Sequence, residues 1–94
     1  MEQYYVVRGE NSGVFFGQIT EHSGREVTMR NVRRLWSWEG ATDCIQLGAE
    51  GVKSPDRCRF TMYAQELVIL DAIEIHTCPE AARESLAGVA VWKI

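Results

Sequence analysis

The chain opens with runs that alternate or cluster apolar residues at the spacing of strands. Tyr4-Tyr5-Val6-Val7-Arg8 is β-branched and aromatic and predicts a first strand. Gly9-Glu10-Asn11-Ser12-Gly13 has turn chemistry, since Gly and Asn tolerate positive φ. In Val14 to Thr20, Val14, Phe16 and Gln18 lie opposite Phe15, Gly17 and Ile19, so this run predicts a second strand closing a hairpin on the first. Gly17 inside it predicts a bulge or a close approach of another segment. After a turn at His22-Ser23-Gly24, Arg25 to Asn31 puts Val27 and Met29 on one face and Glu26, Thr28 and Arg30 on the other, the pattern of a half-buried antiparallel strand.

A bend at Asn31 leads into Asn31–Gly40, the stretch around which the chain is organised. If it is extended, Val32, Arg34, Trp36 and Trp38 share one side and Arg33, Leu35 and Ser37 the other. The period then changes. Ala41 to Ala49 reads as a helix, with Thr42 or Asp43 near its N-terminus and Gly48 and Gly51 able to end it. The loop over 50–57 holds Gly51, Ser54 and Pro55. Cys58 to Tyr63 predicts a short strand. The apolar run within Gln65–Thr77 predicts a central strand covered on both faces, or two shorter strands where Asp71 and Glu74 interrupt it. Thr77-Cys78-Pro79-Glu80 has capping-box spacing and predicts a second helix, with Gly88 as its stop. Val89 to Lys93 predicts a terminal strand. The expectation is a single α+β domain over 1–94: a twisted antiparallel sheet of five or six strands, curled as far as a barrel-like form, with two short helices.

Composition narrows the functional classes. Hydrophobic residues make up 46% and charged residues 24% of 94 residues, which fits a folded domain. A domain this short buries a modest core, so a homo-oligomer is expected. The formal net charge of −3 counts against general duplex-DNA binding, which favours a basic excess. No apolar run approaches the ~20 residues that cross a bilayer, and the N-terminal residues lack a signal core, so a cytosolic location and no membrane partner are expected. Cys44, Cys58 and Cys78 are odd in number and far apart, which suits reduced thiols.

The candidate chemistry is that of binding. Trp36 or Trp38 can stack on a planar ligand while Arg33 or Arg34 meets its phosphate, and core packing is the competing use of the same residues. If the segment is a strand, at most one of the two arginines joins a given pocket. Arg57 and Arg59 flank Cys58 and offer a second phosphate contact or a solvated edge. His76 and Cys78 lack the paired spacing of a zinc site. Asp71 and Glu74 fall on opposite sides of a straight strand, which suits edge or cap roles rather than acid–base catalysis. There is no phosphate loop, nucleophile elbow or dinucleotide fingerprint, so neither an enzyme nor a cofactor is expected.

Tyr4-Tyr5-Val6-Val7-Arg8-Gly9, Ser12-Gly13-Val14-Phe15-Phe16-Gly17, Arg33-Arg34-Leu35-Trp36-Ser37-Trp38-Glu39-Gly40-Ala41 and Ala72-Ile73-Glu74-Ile75 together resemble a family of small proteins encoded by tailed bacteriophages and prophages. The resemblance spans nearly the whole chain. It implies an accessory protein in the host cytoplasm. A recurrent role of such proteins is to block host immunity, including by sequestering the nucleotide messengers of cyclic-oligonucleotide or Thoeris-type defence. A small nucleotide ligand is therefore the expected partner. A protein-binding accessory or minor virion role, and single-stranded nucleic-acid binding, are the alternatives.

Overall fold

The structure is a computed structural model and describes residues 3–93. Three strands form an antiparallel meander: β1 (Tyr4–Gly9), β2 (Val14–Ser23) and β3 (Glu26–Ser37). The predicted hairpin is present, with Val6 opposite Phe16 and Val7 opposite Phe15. The next turn is tighter than expected, because His22 and Ser23 continue β2 and only Gly24 and Arg25 lie between the strands.

β3 does not stop at Asn31. It runs through that residue by a bulge. Phe16 pairs with Arg33 and Gln18 with Arg30, so one residue of β2, Gly17, faces two of β3, Asn31 and Val32. Asn31 takes φ 48, a left-handed conformation that Asn accepts at lower cost than most residues. A side chain at Gly17 would have its Cβ 2.8 Å from Val32 Cα, so glycine is what lets the bulge close against β2. The extra residue changes the parity of everything after it. Val27 and Met29 face one core before the bulge, and Val32 faces the same core after it, whereas Leu35 faces the opposite one.

Helix α1 (Cys44–Glu50) starts later than the sequence pattern suggests. Asp43 caps it, its carboxylate accepting from the Ile45 and Gln46 backbone N–H groups at 3.1 Å each, and Gly51 ends it at φ 78. Gly48 does not stop the helix. It lies within it, where a Cβ would sit 2.7 Å from His76 Cβ, so its bareness sets how closely α1 approaches the sheet. A 3-10 turn over Pro55–Arg57 precedes β4 (Arg59–Phe60), which is much shorter than the predicted Cys58–Tyr63 strand.

The apolar run splits into two strands, β5 (Ala64–Ile69) and β6 (Ala72–Cys78). Neither is central. The sheet order is β4-β3-β2-β1-β6, with β5 beside the first half of β3. β5 and β6 therefore occupy opposite edges of the meander, although only Leu70 and Asp71 separate them. The sheet must curl strongly at that end, where Ala72 N–H donates to Arg25 O at 3.0 Å. Among the described residues no ladder joins β5 to β6, so the sheet is strongly curled but stays open and does not close into a barrel. The run was apolar for a different reason: Ile69 and Ala72 enter the core, while Val68, Leu70 and Ile73 are exposed.

Helix α2 (Glu80–Ala87) begins two residues later than a Thr77 cap would place it, and the capping box does not form. Thr77 is still in β6, opposite Tyr5, and Pro79 occupies the cap position with no side-chain hydrogen bond. Gly88 ends the helix, its N–H donating to Glu84 O. Val89–Lys93 makes no terminal strand. Val91 forms one parallel bridge to Phe60.

Apolar residues fill both faces of the sheet. Val6, Phe16, Leu35 and Phe60 pack under α1 and α2 with Leu47, Ala82 and Leu86. Val7, Phe15, Val27, Met29, Val32, Ile69 and Ala72 fill the concave side made by the curl.

Candidate functional site

The six residues singled out on the sequence are split by the bulge and by the end of β3. Arg33 points under α2 and is 1% exposed. Its guanidinium donates to Thr61 O at 3.0 Å, Val89 O at 2.9 Å and Leu86 O at 3.3 Å, and lies against the Phe60 and Tyr63 rings. The carbonyls just beyond and within the last turn of α2 lack helical partners and carry the negative end of the helix dipole, so a cation there is doubly matched. Arg33 ties β3, the segment after β4 and the end of α2 together, and those donors are already engaged. Burial raises the pKa of Tyr63 beside it, against the lowering effect of the Arg33 charge.

Arg34 is on the other face, as strand alternation requires. Its guanidinium stacks over the Phe15 ring at 4.9 Å, and its Nε is buried without a hydrogen-bond acceptor. Trp36 projects into solvent at 60% exposure and stacks on Trp92, which is 41% exposed, with ring centroids 6.3 Å apart and planes 18° from parallel. Arg59 lies over the Trp92 ring at 5.6 Å. The Trp92 backbone N–H donates to Phe60 O at 2.8 Å, which fixes the chain at the foot of the indole. Trp36 and Arg59 are thus brought to one patch, and Trp92 is the member that joins them. It lies 56 positions from Trp36, a separation no local spacing reveals.

Trp38 is apart from this patch. β3 ends at Ser37, and Trp38 packs against the helix-side core. It borders a cleft of about 370 Å³ with Arg8, Asp43 and Glu74. Arg57 is highly exposed and 3.6 Å from the Glu39 carboxylate, a surface pair of small energetic weight.

The carboxylates in the apolar run are structural. Asp71 accepts from the Ser12 hydroxyl at 2.6 Å and from the Asn11 and Ser12 N–H groups at 2.7 and 3.1 Å, clipping the β1–β2 turn to the β5–β6 turn. The Ser12 hydroxyl and then the Asn11 N–H hold its carboxyl below the usual carboxylate range. Glu74 bridges His76 at 2.8 Å and Arg8 at 3.1 Å, which lowers its pKa in that order of effect. All three cysteines are free and buried. Burial pushes the Cys78 thiol up to about 11 and, with help from Glu74, raises that of Cys44, so these sulfurs stay protonated and are poor nucleophiles. Among the described residues, no group of three or more His, Cys, Asp or Glu side chains is placed to hold a metal ion, and no helix is long and apolar enough to cross a membrane.

What the patch can do follows from its parts. Exposed indoles offer flat apolar faces, and a guanidinium offers planar donors for a phosphate or carboxylate. Neither the curated proteins nor the solved structures contain a match to this chain. A family model described as a domain of unknown function, DUF6948, matches residues 2–86, and the chain belongs to that family.

Proposed function

We propose that the protein is a non-catalytic binding protein that takes a nucleotide-type ligand on the Trp36–Trp92 platform beside Arg59. One observation carries this reading: two stacked, solvent-exposed indoles share a patch with a guanidinium. A base laid on an indole gains roughly 1–3 kcal/mol, and a charge-assisted contact to phosphate roughly 1.5–3 kcal/mol. Arg57, two residues before Arg59, can turn from its long surface pair with Glu39 at little cost. The resemblance to phage-encoded proteins gives such a site a role, the sequestration of a cyclic-oligonucleotide or ADP-ribose-type immune signal. The test is calorimetric titration with cyclic dinucleotides, cyclic trinucleotides and ADP-ribose isomers, followed by chromatography of ligand released on denaturation. Binding with intact ligand recovered supports the proposal. Altered ligand would make the protein an enzyme, and no binding by any member of the panel would refute a nucleotide ligand.

The second reading is a protein partner. Exposed Trp and Arg are the residue types that dominate interface energetics, and this patch presents both. It predicts that Trp36→Ala abolishes capture of a specific phage or host protein while the fold, followed by circular dichroism, is retained.

A further inference from the structure

A second candidate site lies on the Arg34 side of β3 and shares no lining residue with the tryptophan patch. The turn at Asn11–Ser12 and the turn at Leu70–Asp71, clipped together by the Asp71 carboxylate, border a shallow, open cleft of about 450 Å³. Phe15, Leu67, Val68 and Leu70 supply apolar wall, and Arg34 supplies the one cation among its lining residues. That volume is within the range of small-molecule sites, which combine an apolar lining with a few placed polar groups.

Arg34 is the informative residue. Among the described residues no carboxylate lies within ion-pair distance of its guanidinium, and its buried Nε–H has no acceptor. Asp71 is on the rim, but its oxygens already accept from Ser12 and Asn11. The Nε is out of reach of a ligand, but the side chain is only half-buried, and a guanidinium that no carboxylate neutralises is stabilised by an anion that meets its accessible end. The Phe15 ring beneath it holds the plane of the fork without neutralising its charge.

We infer that this cleft binds a small aliphatic carboxylate, whose headgroup meets Arg34 and whose chain lies against Phe15, Leu67 and Leu70. One cation and an apolar wall define that class. A phosphate monoester carries close to two negative charges. It would face a single arginine with the Asp71 carboxylate near by, whereas a carboxylate brings one charge and a planar pair of oxygens matching the guanidinium.

The test uses octanoate, 1-octanol and octyl phosphate on the intact protein, followed by amide chemical-shift titration. Octanoate should bind at least roughly tenfold more tightly than octanol, with shifts centred on residues 11–15 and 67–71, because a charge-assisted contact is worth about a factor of ten or more. Arg34→Gln should bring octanoate down to the octanol level and leave any nucleotide binding at Trp36 unchanged. The comparison of octanoate with octanol is made on the unaltered chain and so stands even if that variant misfolds. Absence of octanoate binding, or equal binding of octanol, overturns the site. Tighter binding of octyl phosphate than of octanoate overturns the ligand class.

Discussion

Arg33 and Arg34 are adjacent in sequence and meet opposite fates, because a strand turns successive side chains to opposite faces. Arg33 is spent on backbone carbonyls at the end of α2. Removing it leaves buried carbonyl oxygens without donors and a void between the Phe60 and Tyr63 rings. Arg33→Met should therefore cost about 1–3 kcal/mol in urea unfolding, the penalty for leaving a buried acceptor unpaired. Arg57→Ala should stay within about 0.5 kcal/mol, since its ion pair is exposed. Acid should reveal Asp71 and Glu74. Both carboxyls have folded pKa values below their ordinary ones, so their contributions are fully present above the ordinary carboxylate range and are lost as pH falls through the lowered values. An unfolding series from pH 6 downwards should show a fall in stability beginning near pH 4 that is shallower in Asp71→Asn. An unchanged slope would mean that the clip between the two turns is energetically silent.

Elements were legible where local chemistry decides them and illegible where pairing does. The first hairpin, the Gly17 irregularity, the helix before Gly51 and the Gly88 stop all follow from residues close in sequence. The fate of residues 64–78 does not. Their apolar run looks like a buried central strand, but a two-residue turn sends its halves to opposite edges of a curled sheet, and several of the apolar side chains end in solvent. The capping-box spacing misled for a related reason. β6 pairs with β1 as far as Cys78, and that ladder holds Thr77 in a strand. Two caps can be compared directly. Asp43→Ala should cost about 1 kcal/mol because its carboxylate accepts from two N–H groups of α1. Thr77→Ala should change stability by less than about 0.5 kcal/mol, as for an exposed site that makes no cap. The bulge is equally testable. Gly17→Ala forces a methyl into the Val32 backbone and should destabilise by about 1–3 kcal/mol, the cost of overpacking. Without the bulge the residues after Asn31 would exchange faces, so it decides which arginine is core and which is surface.

On the scale of the molecule, the sheet carries apolar residues on both faces, helices cover one of them, and among the described residues three strands, β4, β5 and β6, pair with a single strand each. Val68, Leu70, Ile73 and the two exposed indoles offer apolar surface that a second copy can cover. We expect a homo-oligomer, which light scattering at tens of micromolar should reveal as a mass above the 10.7 kDa of one chain. The candidate site was half readable. The sequence pairs Trp36 and Trp38 with Arg33 or Arg34, whereas the fold gathers Trp36 with Arg59 and with Trp92, which the hydrogen bond to Phe60 holds in place, a contact that exists only in the folded chain. The most direct test of the proposed function is calorimetry of the tightest nucleotide in the panel against the parent, Trp36→Ala and Arg59→Ala, with circular dichroism confirming that each variant folds. Stacking and charge-assisted contacts of roughly 1–3 kcal/mol each predict that either substitution weakens binding by about five- to a hundredfold. Binding equal to the parent in both folded variants would contradict the account.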